Sequence, residues 1–213
     1  MAFFKKKTTT MAMPVSGPVE FIIAGLGNPG KEYEKTRHNA GFMALDHLSA
    51  KLGANVSRLK FKALCGEAQI GTHRVLLMKP QTFMNLSGDA IAEAASFYKI
   101  PPENILILVD DVCQDTGRMR VRQSGSHGGQ NGLKNIIARL GSDKFPRIRF
   151  GVGQKPNPQY DLAAWVLGVL GGEDKKRLES CFPLIEEAAK MIFDGKMEGA
   201  MGLCNGHRPA DGV

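Results

Sequence analysis

The run Ile105-Leu106-Ile107-Leu108-Val109 (ILILV), closed by Asp110-Asp111, carries no polar side chain in its first five positions. A strand with one wet face alternates apolar with polar residues. One that is apolar throughout must be covered on both faces, as a central strand between two layers of helices is. The run therefore predicts the middle of a helix-flanked sheet, with two carboxylates where the strand runs out.

The segments on either side fit that frame. Upstream, Ser87 is placed to cap a helix over GDAIAEAASFYKI, which Pro101-Pro102 stops. Before it, Cys65 to Ile70 and Val75 to Lys79 read as strands, the second ended by Pro80. The first strand is Glu20 to Ala24 (EFIIA), running into glycines. A helix follows it with Phe42, Leu45, Leu48 and Leu52 at near-helical spacing, Asn39 as candidate N-cap and Gly53 as its stop. Downstream, RMRVR (Arg118 to Arg122) is extended. The glycine-rich SGSHGGQNG then opens a helix with Leu133, Ile136, Ile137 and Leu140 on one face, closed by Gly141. Arg147 to Val152 is a further strand, and Asn157 to Gly172, with the single tryptophan Trp165, is a loop or short helix. A last amphipathic helix is expected from about Glu173 to Asp194, kinked near Pro183. Strands alternating with helices predict one α/β domain over residues 19–205 with a largely parallel or mixed sheet. Residues 1–18 read as a disordered tail or added remnant and 206–213 as a flexible end.

Length and composition agree: 213 residues, 43% hydrophobic and 23% charged, suit one domain with a sizeable core. A formal charge of +7 favours polyanionic partners, because each neutralised phosphate releases a counterion. The four cysteines, Cys65, Cys113, Cys181 and Cys204, form no C-x-x-C pair and read as reduced thiols. The apolar stretch Leu162 to Leu170 is too short to span a bilayer.

Gly25, Gly27 and Gly30 satisfy G-x-G-x-x-G after a strand and raise a dinucleotide fold. Pro29 removes one of the N–H groups that would hold the pyrophosphate, KEYEKTRHN has no apolar stripe, and Asp46 falls inside a helix rather than at a strand end. The motif does not support that reading. No G-x-S-x-G elbow is present, and His38, His47, His73, His127 and His207 have no metal-site spacing.

Asn28 and His38 follow the first strand, and Asp110 and Asp111 end the ILILV strand. In open α/β sheets ligand sites gather beyond the carboxyl ends of strands, so these groups belong to one cleft. Asn85 and Asn131 stand at helix starts, where amides can aim N–H groups at a developing oxyanion. A helix N-terminus disfavours an imidazolium at His38, while a carboxylate at Asp110 favours one. A histidine so balanced, held neutral, could activate water. The plainer alternatives are a surface histidine and turn aspartates. Arg118, Arg120 and Arg122 alternate and so share a strand face, and Arg147 and Arg149 repeat the pattern. Such stripes hold phosphates or merely blunt a sheet edge. Tyr33 and Phe83 could stack on a base, or simply pack.

Four segments in order, GLGNPGKEYEKTRHNAG, KPQTFMNLSG, LVDD and GSHGGQNGLKNI, closely resemble the bacterial-type peptidyl-tRNA hydrolase family, over about Phe21 to Gly153 and more weakly beyond. The resemblance implies a single α/β domain with a mixed, twisted sheet packed by helices on both faces. It implies hydrolysis of the ester joining a peptide to the 3′ ribose of tRNA. Scattered histidines and reduced thiols add the expectation of no cofactor or metal and a cytoplasmic place, and a monomer is expected. Carried over by motif, His38 would be the general base, Asp110 would orient it, and Asn28 would orient substrate or water. Asn85 would bind the peptide backbone and help polarise the ester carbonyl, and Asn131 would position the water or the terminal adenosine. Arg122 and Arg149, with Arg120 beside them, would hold the tRNA phosphate. The chain departs from the family pattern at Val112-Cys113-Gln114-Asp115 and at Gln130, where other members often carry another polar residue such as His; these changes are expected to touch loop shape and tRNA contacts. Relatives that serve only as RNA-binding splicing partners leave a non-catalytic role as the rival reading.

Overall fold

The computed structural model describes residues 17–209, so the tail expected at residues 1–18 lies outside them up to residue 16, as does the end beyond residue 209. In chain order the elements are β1 (Phe21–Gly25), α1 (Ala40–Lys51), β2 (Arg58–Lys60), β3 (Ala63–Ile70), β4 (His73–Pro80), α2 (Ser87–Tyr98), β5 (Ile105–Asp111), β6 (Met119–Arg122), α3 (Asn131–Leu140), β7 (Arg147–Gly151), α4 (Leu162–Leu167), α5 (Gly172–Glu179), α6 (Ile185–Phe193) and α7 (Met197–Asn205). No helix among the described residues is long and apolar enough to cross a membrane.

The strands form one seven-stranded sheet in the order β2-β3-β4-β1-β5-β7-β6. β4, β1, β5 and β7 run parallel, and the flanking β2, β3 and β6 pair antiparallel, so the sheet is mixed. β5 is buried along its whole length. Its side chains alternate between two cores. Leu106 and Leu108 pack with Leu45 of α1, Ile185 of α6 and Ala200 of α7, whereas Ile105, Ile107 and Val109 pack with Ile91 of α2 and with Leu133 and Ile136 of α3. Helices thus cover both faces, which is why the ILILV run needs no polar residue.

One close approach sets the position of the site. A Cβ on Gly41 would lie 2.3 Å from the Leu108 carbonyl oxygen and 2.5 Å from Leu26 N. Only glycine lets the first turn of α1 lie backbone to backbone on the ends of β1 and β5. The turn just before α1 is thereby delivered to the end of β5.

Several local expectations need correction. Asn39 makes no capping bond to α1, and Ser87 is the first residue of α2, its Oγ donating back to the Met84 carbonyl. The single helix expected over 173–194 is two, α5 and α6, separated by a 3-10 turn at Phe182–Leu184 that contains Pro183. Beyond Gly195, whose φ of 75° breaks the chain direction, comes α7, which no periodicity had suggested. β2 had also gone unread; it is three residues long and mostly exposed.

Candidate active site

A cleft of about 490 Å³ opens at the carboxyl ends of β1, β5 and β7. Asn28 enters it from the loop after β1, His38 from a 3-10 turn (Arg37–Asn39) before α1, and Asp110 from the end of β5. Phe83 and Asn85 line it from the segment before α2, Asn131 from the start of α3 and Arg149 from β7. The sequence-predicted residues thus converge, with Tyr33, Arg120 and Arg122 the exceptions. Tyr33 belongs to the turn leading to His38 and does not line the cleft.

His38 Nδ1 lies 2.8 Å from Asp110 Oδ2, with the side chains 13% and 2% exposed. A nearly buried carboxylate at that distance fixes the tautomer: Nδ1 carries the proton it donates, and Nε2 has no partner among the described residues. Burial of His38 lowers its proton affinity and is the largest single influence. The Asp110 charge and hydrogen bond together outweigh it, and the net shift is upward from 6.5. The ring is therefore more basic than an ordinary histidine: of the two opposed influences the sequence suggested, the carboxylate is the one that acts. The short 3-10 turn holding it is not yet a full helix N-terminus.

The other carboxylate oxygen is taken by a residue whose departure from the family pattern was expected to touch loop shape and tRNA contacts. Gln130 Nε2 donates to Asp110 Oδ1 at 3.0 Å, and Gln130 Oε1 accepts from Leu133 N at 2.8 Å, capping α3. No sequence signal links Gln130 to Asp110, because a glutamine before a helix looks like a cap and nothing more.

Asn28 is oriented just as tightly. Its backbone N–H donates to Asn39 Oδ1 at 2.8 Å, and Asn39 Nδ2 returns a bond to the Asn28 carbonyl at 3.0 Å. The Met84 N–H donates to Asn28 Oδ1 at 2.8 Å. With its oxygen committed, the amide of Asn28 has only its NH₂ left for a ligand. Asn85 and Asn131 are exposed on the rim, as is Phe83 at 56%.

The arginines divide. Arg120 pairs with Arg149 and Arg122 with Arg147 across β6 and β7, so all four project from one face of the sheet. Arg120 and Arg122 are exposed there, and Arg149 reaches the cleft, with Nε 3.1 Å from Asp111 Oδ2 as an ion pair without hydrogen-bond alignment. Arg147 corrects the expectation of a phosphate stripe: it is 2% exposed and spends its donors on the carbonyls of Gly125, Asp143 and Phe145. Burial pushes its pKa down to about 10. Arg118 turns away to donate to the His207 carbonyl.

One wall of the cleft is α4, capped by Asp161 and presenting Leu162, Ala163, Val166 and Leu167. It is fastened to the turn that carries His38. Thr36 bridges Val169, Arg37 N donates to Gly168 O, Leu170 N donates to Lys35 O, and the Arg37 guanidinium lies 3.7 Å above the Trp165 ring. Among the described residues no group of three His, Cys, Asp or Glu side chains converges as a metal site. The Gly25-Gly27-Gly30 loop opens no helix, since α1 begins only at Ala40. A Cβ at Gly27 would meet the Phe42 ring at 2.6 Å, so this glycine serves packing.

Residues 22–211 match the protein-family profile described as Peptidyl-tRNA hydrolase. A peptidyl-tRNA hydrolase of Caldanaerobacter subterraneus subsp. tengcongensis is 52% identical over 186 residues, covering 87% of this chain and 100% of the relative. One from Thermoanaerobacter sp. is 48% identical over the same shares. The crystal structure of peptidyl-tRNA hydrolase from Acinetobacter baumannii superimposes with a TM-score of 0.84 at 34% identity, covering 92% of this chain and all of the other. On fold and on sequence, this chain belongs to the peptidyl-tRNA hydrolase family.

Proposed function

We propose that this enzyme, a hydrolase of peptidyl-tRNA by family, cleaves its ester with a water molecule activated by His38, without metal and without a covalent enzyme intermediate. The observation that carries the proposal is the 2.8 Å contact between His38 Nδ1 and Asp110 Oδ2 inside a cleft lined by side-chain amides. With Nδ1 donating to Asp110, Nε2 takes a proton from water as the water oxygen attacks the ester carbonyl carbon. The carbonyl electron pair moves onto oxygen, where the free NH₂ of Asn28 and the amide of Asn85 donate to it. Collapse of the tetrahedral species expels the 3′ ribose oxygen, which recovers the proton from His38. The products are a peptide carboxylic acid and tRNA with a free hydroxyl.

Around that centre, Asn131 positions the water or the terminal adenosine, Phe83 stacks on a base, and Arg120, Arg122 and Arg149 take backbone phosphates. Arg149 suits that role because it joins the cleft to the exposed arginines of β6. The reading places the enzyme in the cytoplasm as a monomer.

The test is release of free tRNA from purified peptidyl-tRNA in the presence of EDTA. The parent should remain active, and His38→Ala should lose roughly 10²–10⁴ in turnover while still binding tRNA. A variant turning over near the parent rate removes His38 from the mechanism, and a parent silenced by EDTA overturns metal independence.

A further inference from the structure

We infer that Gln130 is a positioning residue of the reaction: its side-chain N–H holds Asp110 Oδ1 and so locks the carboxylate that orients His38 to the N-terminus of α3. The inference rests on the reading of His38 and Asp110 as the working pair.

The geometry is that of a strut with both ends fixed. One end of the Gln130 amide accepts from Leu133 N at 2.8 Å, and the other donates to Asp110 Oδ1 at 3.0 Å and lies 3.2 Å from Met84 Sδ. Gln130 is 8% exposed and Asp110 is 2% exposed, so water does not compete freely for either group. A carboxylate bound on one oxygen only can rotate about its Cβ–Cγ bond. Bound on both, by Gln130 and by His38, it presents Oδ2 to the imidazole in one orientation. The Gln130 bond also draws charge from Asp110 and so moderates how far Asp110 raises the proton affinity of His38. Glutamine does not titrate, and this strut keeps the same donor at every pH at which the fold stands.

Other charges nearby are engaged elsewhere or face away. Asp111 is held by Gln114 and Cys113 N and faces Arg149, while Arg37 of the His38 turn lies over Trp165. Asp89 of α2 is paired with Arg139, Lys134 of α3 is exposed, and Asp161 caps α4. Loss of the Gln130 donor is therefore felt first by Asp110.

The experiment compares kcat against pH, and the melting temperature, for the parent and for Gln130→Ser, Gln130→His and Gln130→Leu. Serine still caps a helix but is too short to reach Asp110. Histidine can accept from Leu133 N with one ring nitrogen and donate to Asp110 with the other. Gln130→Ser should melt somewhat below the parent, because Asp110 Oδ1 loses its buried donor, lose roughly tenfold in kcat, and move the acid limb upward by about half a unit. Gln130→His should restore most of both, and Gln130→Leu should show the kinetic defect together with a lower melting temperature. A Gln130→Ser enzyme with the parent's plateau and acid limb overturns the inference, whatever its stability. His38→Ala in the same assay separates the two levels: if it is inactive while Gln130→Ser is unchanged, only the role of Gln130 falls. If it is active, the reading of the pair falls too.

Discussion

His38 and Asp110 are 72 positions apart in the chain, yet Nδ1 and Oδ2 stand 2.8 Å from each other. Because the carboxylate more than offsets the burial of the ring, the proton affinity of His38 is raised. Under the proposed mechanism His38 must be neutral to activate water, so kcat should fall on the acid side with an apparent pKa above 6.5. A profile measured between about pH 5 and pH 9 checks this, and a limb at or below the ordinary histidine value would contradict it.

Asp110→Asn removes the influences that raise His38 and leaves burial, which lowers it. The acid limb should move down in pH. The plateau should also drop, by less than in His38→Ala, because the ring loses its fixed tautomer. An unmoved limb counts against an orienting role for Asp110.

The same shift appears in stability. A histidine whose folded-state pKa is raised contributes stability in full below its unfolded value, and that contribution is lost as pH rises through the folded value. The melting temperature of His38→Gln should therefore trail the parent more at about pH 5.5 than at about pH 8.5. Equal gaps at both would show that the pair contributes no pH-dependent stability.

Asn39→Ala should cost about 1–3 kcal/mol in urea unfolding, since it strands the buried N–H of Asn28. It should also lower kcat/KM, because Asn28 loses the partner that fixes its loop. Were Asn39 an ordinary helix cap, activity would be spared.

Gly41→Ala puts a methyl against the Leu108 carbonyl, where backbone rather than a pliable side chain must yield. A loss of roughly 3 kcal/mol or more, or failure to fold, is expected. Parent-like denaturation would show that α1 can retreat from β5.

Arg122→Ala should raise KM for peptidyl-tRNA and make its salt dependence shallower by about one unit of slope, with kcat little changed. A kcat defect at constant KM would move Arg122 from binding to chemistry.

The sequence made the sheet centre legible because burial on both faces leaves no choice of residue type in ILILV. The helix over Asn131 to Leu140 was legible because its apolar spacing and terminal glycine agree. Asn39 misled because an asparagine before a helix usually caps it, and nothing local reveals a partner eleven residues back. Alternation placed Arg120, Arg122, Arg147 and Arg149 on one face correctly, but not Arg118, which lies before β6 and turns to the His207 carbonyl. It could not tell that Arg147 is swallowed by three carbonyls while Arg149 reaches the cleft, since that depends on where the 125 and 143 loops fall. The contact from Gln130 to Asp110 spans twenty residues and two elements, a distance at which one chain carries no pattern.

The seam between the His38 turn and the segment after α4 is stitched mostly by peptide groups, with Arg37 and Trp165 laid over it. Peptide stitching is indifferent to what the side chains are. The apolar wall at Leu162, Val166 and Leu167 can therefore change its side chains without unpicking the join that keeps the imidazole in place.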